Sequence, residues 1–531
     1  MRRWNGWGDA SIQMGLSRKG LALLKEQIGD GTVCPDYPLD KFLERIPEPR
    51  LPRHPLVTAD PRQRLECAHG QSLPDWVRLR SGTLAHFPDG VARPKTEEDI
   101  QALLAYATDQ NAIVIPYGGG TSVAGHLEID ESERPVLSVA LSGLNRLIDI
   151  EENNLLATFE SGIFGPELEK HLNSKGFTLG HYPQSFEYST LGGWVTTRSS
   201  GQQSRHYGRI EQLFAGGEIS TFKGQLKLPP FPASAAGPDI RQLVLGSEGR
   251  MGILTRVIVK ISPLPDVNDI HGVFFPSWNQ ACQAVQTLAQ SQIPLSMVRL
   301  SNPQETRANL ALAGQEQQIK WLKRYLQLRG IDPNPACMCL IGYIGSRKQA
   351  RVAKGEAGSI IGRFKGITVG KRIGNAWKKN RFRSAYLRNT LWDLGYAVDT
   401  LETAVNWDKV TDTMARVEKG LEQALNSVNE RILAFSHLSH VYATGSSIYT
   451  TYVFRQAETP QKTLEHWRKL KQAASGAIVE AGGTISHHHG IGKDHSPYLE
   501  AEKGPIGINT LQQVFSYLDP NQQMNPGKLL P

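Results

Sequence analysis

No run of about 18 apolar residues occurs in the 531-residue chain, so nothing in it reads as a bilayer-spanning helix. Cysteine is scarce and odd in number, five in all at positions 34, 67, 282, 337 and 339, which argues against a disulfide framework and for a reducing compartment. Cys337 and Cys339 stand in "ACMCLIGYIG" on one face of a strand, closer together than zinc-binding cysteines usually are, and are read as core residues. The opening "MRRWNGWGDASIQMG" has two arginines but no apolar stretch after them, so no secretory leader is expected. Acidic residues are nearly missing from one stretch, Ser346 to Arg383. There Arg347, Lys348, Arg351, Lys354, Arg363, Lys365, Lys371, Arg372, Lys378, Lys379, Arg381 and Arg383 are opposed only by Glu356, the densest part of a formal charge of +8. Such a run reads as a solvated face or mobile loop, and anionic lipid headgroups or a phosphorylated substrate are the partners that suit it. Nucleic acid is not expected, because no stacking aromatics are interleaved with these charges.

The composition, 40% hydrophobic and 21% charged, is that of a globular protein too long for one core. Residues 1–79 read as a proline-punctuated extension, helical only in part, with Pro35, Pro38, Pro47, Pro49, Pro52 and Pro55 interrupting it. Over 80–265 helices, strands and glycine loops alternate, which describes an α+β nucleotide-binding domain. Ile100, Leu103, Leu104 and Ala107 lie at helical spacing, "AIVIPYGGGTS" reads as a buried strand entering a glycine loop, and Gly176 is placed to end a helix over "GPELEKHLNSKG". Residues 266–460 restart with the helical "WNQACQAVQTLAQSQ" and are expected to form a second, cap-like domain. A helix carrying Leu464, Trp467, Leu470, Ala474 and Ile478 opens the last part, 461–531, and "TIS" after it has strand character.

"PYGGGTS", Pro116 to Ser122, has three successive glycines after an apolar strand. A backbone free of Cβ atoms there can turn several N–H groups toward an anion, with Thr121 and Ser122 adding hydroxyls. It is neither the G-x-G-x-x-G fingerprint nor the G-x-x-x-x-G-K-[ST] loop, so Rossmann and P-loop folds lose support. "PQSFEYSTLGGWVTTRSSG" (183–201) and "GSEGRMG" (246–252) repeat the small-residue theme, and together the loops suggest a long or dinucleotide ligand. This series, with a terminal "NPGKLL", resembles the FAD-binding domain of the vanillyl-alcohol oxidase type, the PCMH fold. The resemblance implies an α+β fold in which a PCMH-type domain of two subdomains is joined to an α+β cap and a helical C-terminal return. It implies non-covalent FAD, with contacts carried onto Pro116, Tyr117, Gly118, Gly119, Gly120, Thr121, Ser122, Gln184, Ser185, Ser189, Thr190, Thr197, Arg198, Ser199, Ser200, Gly246, Ser247, Glu248, Gly249 and Gly252.

Flavin 2-hydroxyacid dehydrogenases usually carry G-E-H-G where this chain has "SHHHG". The H-H-H-G form, "RRWNGWG", "TLGGWVTTRSSG", "DTLETAVNWDKV" and "HVYATGSSIYTTYVF" resemble the alkyldihydroxyacetonephosphate synthases over nearly the whole chain. That family's reaction exchanges the acyl group of acyl-dihydroxyacetone phosphate for a long-chain fatty alcohol in ether-lipid synthesis. Its redox state is unchanged, and the flavin serves as electrophile and electron sink. The resemblance further implies a homodimer. Gln184 and Arg250 depart from what is common at their places, and neither removes a group the chemistry needs. With "WNGWG" almost at the start and "KLLP" rather than S-K-L at the finish, a cytoplasmic relative is expected, peripheral on the inner membrane surface through residues 346–383. Alternatives are a D-lactate-type dehydrogenase and a catalytically silent FAD-binding protein at a membrane.

Tyr449, in "SSIYTTY", matches the family's acid/base tyrosine, and its usual pKa of about 10 would have to be lowered by nearby positive charge for it to act as a base. His487, His488 and His489 match the active-site triplet; on a strand the first and third would face one way and the second the other. Zinc would need further ligands, and Asp494 and His495 lie beyond a Gly-Ile-Gly turn, so the triplet is read as proton chemistry and no metal is assigned. Arg299, in "PLSMVRLS", and Arg388, in "SAYLRNT", match substrate positions where a planar fork of donors suits phosphate.

Overall fold

The computed structural model describes residues 1–312 and 316–530. Helix Glu97–Asp109 buries Ile100, Leu103, Leu104 and Ala107 as their spacing requires, and Thr96 with Asp99 closes its first turn as a capping box. Strand Ile113–Tyr117 follows and delivers the glycine loop from the middle of the core. It is the edge of a four-stranded sheet ordered Val57–Thr58, Gly90–Ala92, Val136–Ala140, Ile113–Tyr117, whose last two pairings are parallel. The neighbouring sheet has five antiparallel strands, Leu147–Glu151, Leu156–Glu160, Ile253–Lys260, Phe214–Thr221 and Gly224–Leu228 in spatial order.

Past Ser262–Pro263 the chain enters a seven-stranded sheet ordered Ile367–Gly370, Val267–Phe275, Cys337–Gly345, Leu295–Ser301, Leu433–Leu438, Gly445–Arg455, Tyr396–Asn406. All its pairings are antiparallel. One face packs Val273, Phe275, Ile341, Cys337 and Cys339 with residues of helices Trp278–Gln290 and Arg347–Arg363, so both cysteines are core residues. Strands Tyr396–Asn406 and Gly445–Arg455 pair over their whole length, which sets Glu402 opposite Tyr449, while His437 faces Tyr449 from the other side. The basic stretch is built into helix Arg347–Arg363, strand Ile367–Gly370 and helix Lys371–Asn380 rather than a loop. Its first part, Arg347 to Lys365, is a solvated face. Among the described residues no helix is long and apolar enough to cross a membrane.

Helix Pro460–Glu480 buries Leu464, Trp467, Leu470, Ala474 and Ile478, in a cluster with Trp76, Leu401 and Tyr452. The segment beyond it differs from the expected strand. Its Thr484 N–H donates to Ala404 O, but Thr484 Oγ1 is drawn away to Glu502 (2.7 Å), and no ladder forms. Left-handed Gly490 (φ +79°) then turns the chain where a Cβ would stand 2.5 Å from His126 Nε2. The last residues return to the glycine loop's strand: Val114 N donates to Gln523 O and Asn525 N to Val114 O.

Candidate active site

One cavity of about 1100 Å³ joins the glycine loops to the seven-stranded sheet. Pro116, Gly118–Ser122, Gln184, Ser185, Ser189, Thr190, Thr197, Ser199, Ser200, Glu248, Gly249 and Gly252 line it on one side. Gly120 is left-handed (φ +63°), a conformation a side chain would strain. Among the described residues, no backbone N–H from Gly118 to Ser122 donates to a protein group, which leaves a row of free donors on the cavity wall. A polyanion satisfies such a row, so the loop fits the pyrophosphate of FAD.

Glu248 fastens these loops to the histidine segment. Its carboxylate accepts from the amides of Ile491 (2.5 Å) and Gly492 (2.8 Å) and lies 3.0 Å from His126 Nε2, whose other ring nitrogen meets Ser122. Asn525 Nδ2 donates to Glu248 O, and Arg250 Nη1 to Met524 O, binding the C-terminal return to the same place. From the other end, Arg2 Nη2 donates to Gly119 O (2.6 Å).

Tyr449 lies among three imidazoles, stacked on His437 (ring centroids 4.9 Å) and near His489 (5.6 Å) and His488 (6.2 Å). Burial pushes its phenol well above the ordinary value; Glu402 and Asp399 add to this, and Thr400 and Arg299 only partly oppose it. The expected lowering by positive charge is therefore reversed, and Tyr449 is a hydroxyl at neutral pH. Burial likewise depresses His440, His487 and His489, which stay neutral. The strand-like alternation of the triplet also fails, because the backbone bends there. His487 and His488 both approach the carboxylate of Glu402, His487 Nδ1 at 3.2 Å, while His489 turns to Tyr449. Glu402 is fully buried; burial would raise its pKa, but His488 and His487 outweigh it and hold the group well below the usual range.

Both predicted arginines line the cavity, in different states. Arg388 lies flat on Trp76 (4.2 Å) and donates Nη1 to Gln71 O (2.5 Å), while its Nε and Nη2 are buried without a partner. Burial draws its pKa down to about 10, so it remains a cation. Arg299 is committed to Glu305 (2.8 Å), Ser301 (3.1 Å) and His437 (3.1 Å). Free donors for an anion therefore come from Arg388.

Of the predicted cofactor residues, Tyr117, Arg198, Gly246 and Ser247 do not line the cavity. The Tyr117 hydroxyl donates to Glu66 O, Arg198 Nη2 bonds Gln242 on the outside, and Ser247 is buried. His487 too is set back, with Nε2 on Tyr442 Oη at 2.6 Å. Asp494 and His495 are apart from the triplet's shared carboxylate; His495 Nδ1 is bound to Gly490 O at 2.8 Å. Sequence reasoning passed over Glu402, His440, Glu305, His126 and Gln71. Two carboxylates, Asp399 and Glu402, inside the strand "DTLETAVN" were the available signal for Glu402.

Two family descriptions match the chain: "FAD binding domain" over residues 88–227 and "FAD linked oxidases, C-terminal domain" over residues 264–529. The alkyldihydroxyacetonephosphate synthase of Caenorhabditis elegans is 30% identical over 558 residues, covering 98% of this chain and 93% of that one. The synthase of Dictyostelium discoideum is 29% identical over 573 residues, covering 100% and 93%. A solved alkyldihydroxyacetonephosphate synthase superposes with a TM-score of 0.84 at 26% identity, covering 99% of this chain and 98% of that one.

Proposed function

Since the chain is an alkyldihydroxyacetonephosphate synthase-like member of the FAD-linked oxidase family, we propose that it replaces the acyl group of an acyl-dihydroxyacetone phosphate by a long-chain alcohol, without net redox change. The observation that carries this reading is the mixed lining of one cavity. Free backbone donors and hydroxyls line the cavity together with Leu16, Leu24, Leu322, Ile373, Val398 and Val453, and with Tyr449, His488, His489 and Arg388. A cofactor phosphate, a reacting carbon and an alkyl chain need those environments side by side.

FAD, held non-covalently along the glycine loops, supplies an electrophile and electron sink when bound. The chain's own residues have the remaining tasks. Arg388 offers two donors to the substrate phosphate. His489, neutral through burial, accepts the proton lost from the substrate carbon and later returns it. Tyr449, a hydroxyl at neutral pH, donates a hydrogen bond to the carboxylate as it departs, and the proton released by the incoming alcohol leaves with that fatty acid, so the exchange balances. The exposed face of helix Arg347–Arg363 supports contact with anionic lipid, where both substrates reside.

Flavin-loaded protein incubated with acyl-dihydroxyacetone phosphate and labelled fatty alcohol is expected to form labelled alkyl product; its absence would sink the reading. Anaerobic bleaching of the flavin by D-lactate, with no alkyl product, would instead place the chain with the 2-hydroxyacid dehydrogenases.

A further inference from the structure

Four side chains from three distant parts of the sequence meet beside the cavity. Glu402 comes from strand Tyr396–Asn406, His440 follows strand Leu433–Leu438, and His487 and His488 sit in the bend after helix Pro460–Glu480. One potential ligand atom of each lies within 4.8 Å of all the others. Glu402 Oε2, His487 Nδ1 and His488 Nδ1 are buried and, among the described residues, find no partner outside the cluster, where both ring nitrogens face the Glu402 carboxylate. A buried polar atom without a partner calls for an explanation. Three of them in one place call for a single explanation.

The far side of two rings is fixed. His487 Nε2 is bound to Tyr442 Oη at 2.6 Å, and His440 Nδ1 lies 3.1 Å from Ser204 Oγ and 3.3 Å from Ser200 Oγ. That is how metal-ligating imidazoles are held: one nitrogen on an outer partner, the other left for the ion. Glu402 is the one carboxylate of the set. Arg209, a cation beside the cluster that donates Nη2 to His487 O, is paired with Glu211 at 3.0 Å.

We propose that Glu402, His440, His487 and His488 bind one divalent transition-metal ion, with zinc the best match to three imidazoles and a carboxylate. His440 and His488 also line the main cavity, so the ion would sit at its wall. This departs from the sequence reading, in which Asp494 and His495 were the further ligands considered and no metal was assigned. It does not rest on the alkyl-transfer reaction, and its failure would leave that reaction untouched.

The test uses flavin-loaded full-length protein, purified without a histidine tag, stripped with chelator and reloaded with zinc chloride. Expected are about one zinc per chain by mass spectrometry after gel filtration, and a zinc-edge X-ray absorption spectrum with imidazole scattering at about 2.0–2.1 Å. In Glu402→Gln/His440→Ala protein that still carries flavin, zinc should fall by at least tenfold. Wild-type protein that takes up no zinc would overturn the proposal in favour of a proton shared between His488 and Glu402. Equal zinc in wild type and the double variant would overturn it in favour of another site. The absorption spectrum needs no variant, so misfolding of the double variant leaves a decisive measurement.

Discussion

Replacing Arg388 by methionine keeps an unbranched side chain over Trp76 but removes the two unpartnered donors, Nε and Nη2. Hydrogen bonds to a charged group contribute about 1.5–3 kcal/mol each, so the pair is worth about 3–6 kcal/mol to a phosphate-bearing substrate. The cost of taking the guanidinium out of water is already met in the folded protein, as its fall to about 10 shows, so little of that gain is offset on binding. At about 1.4 kcal/mol per factor of ten, the variant should lose at least about a hundredfold in kcat/KM. The assay compares acyl-dihydroxyacetone phosphate with its unphosphorylated counterpart in wild type and Arg388→Met at equal flavin content. Wild type should prefer the phosphorylated substrate by that factor, and the variant should not. Loss of the Gln71 bond burdens both substrates alike and cancels in the ratio. Arg388→Lys keeps the charge without the fork and should fall between. If Arg388→Met preferred the phosphorylated substrate as strongly as wild type, Arg388 would not hold the phosphate.

Tyr449→Phe preserves the stack on His437 and should retain FAD by its absorbance, yet lose about 10²–10⁴ in turnover; full activity would remove Tyr449 from the mechanism. Glu248→Ala strands His126 and the amides of Ile491 and Gly492, so urea unfolding should show a loss of about 3 kcal/mol or more, and an unmoved midpoint would contradict the cross-link. For Glu305, burial would raise the pKa, but Arg299 and His437 outweigh it and bring the carboxyl from 4.5 to about 2. Its stabilisation is therefore complete above pH 4.5 and lost as pH falls toward 2; Glu305→Gln should flatten that acid limb by about 3 kcal/mol, which acid-unfolding curves would detect. Leu24→Trp narrows the apolar region of the cavity and should shift preference toward shorter alcohols, and an unchanged chain-length profile would argue that the alkyl chain lies elsewhere.

Local signals carried much of the fold. Periodic apolar positions gave the helices at Glu97–Asp109 and Pro460–Glu480, and the three glycines gave a loop whose free amides the structure bears out. The triplet was found but its geometry was misread, because "TIS" has strand-like residues while the turn of the chain is decided by Glu502 and by contacts at Gly490. Pairing in space escaped sequence reasoning altogether. Glu402 meets His487 through strand register and the docking of a helix, and Arg299 loses its freedom to Glu305 through a fold contact that no spacing announces.

The glycine loop is walled by residues from both ends of the chain, Arg2 on Gly119 and Asn525 against Glu248 and Val114. On the ribosome this fixes an order of events. When residues 88–227 have emerged, the strand that carries the loop still lacks its partner at Met524, made about three hundred residues later. The wall of the glycine loop is thus complete only once residues 523–525 have emerged, so flavin capture is expected to wait for that late segment. Nascent chains arrested before residue 520 should stay colourless, whereas released chains take up flavin.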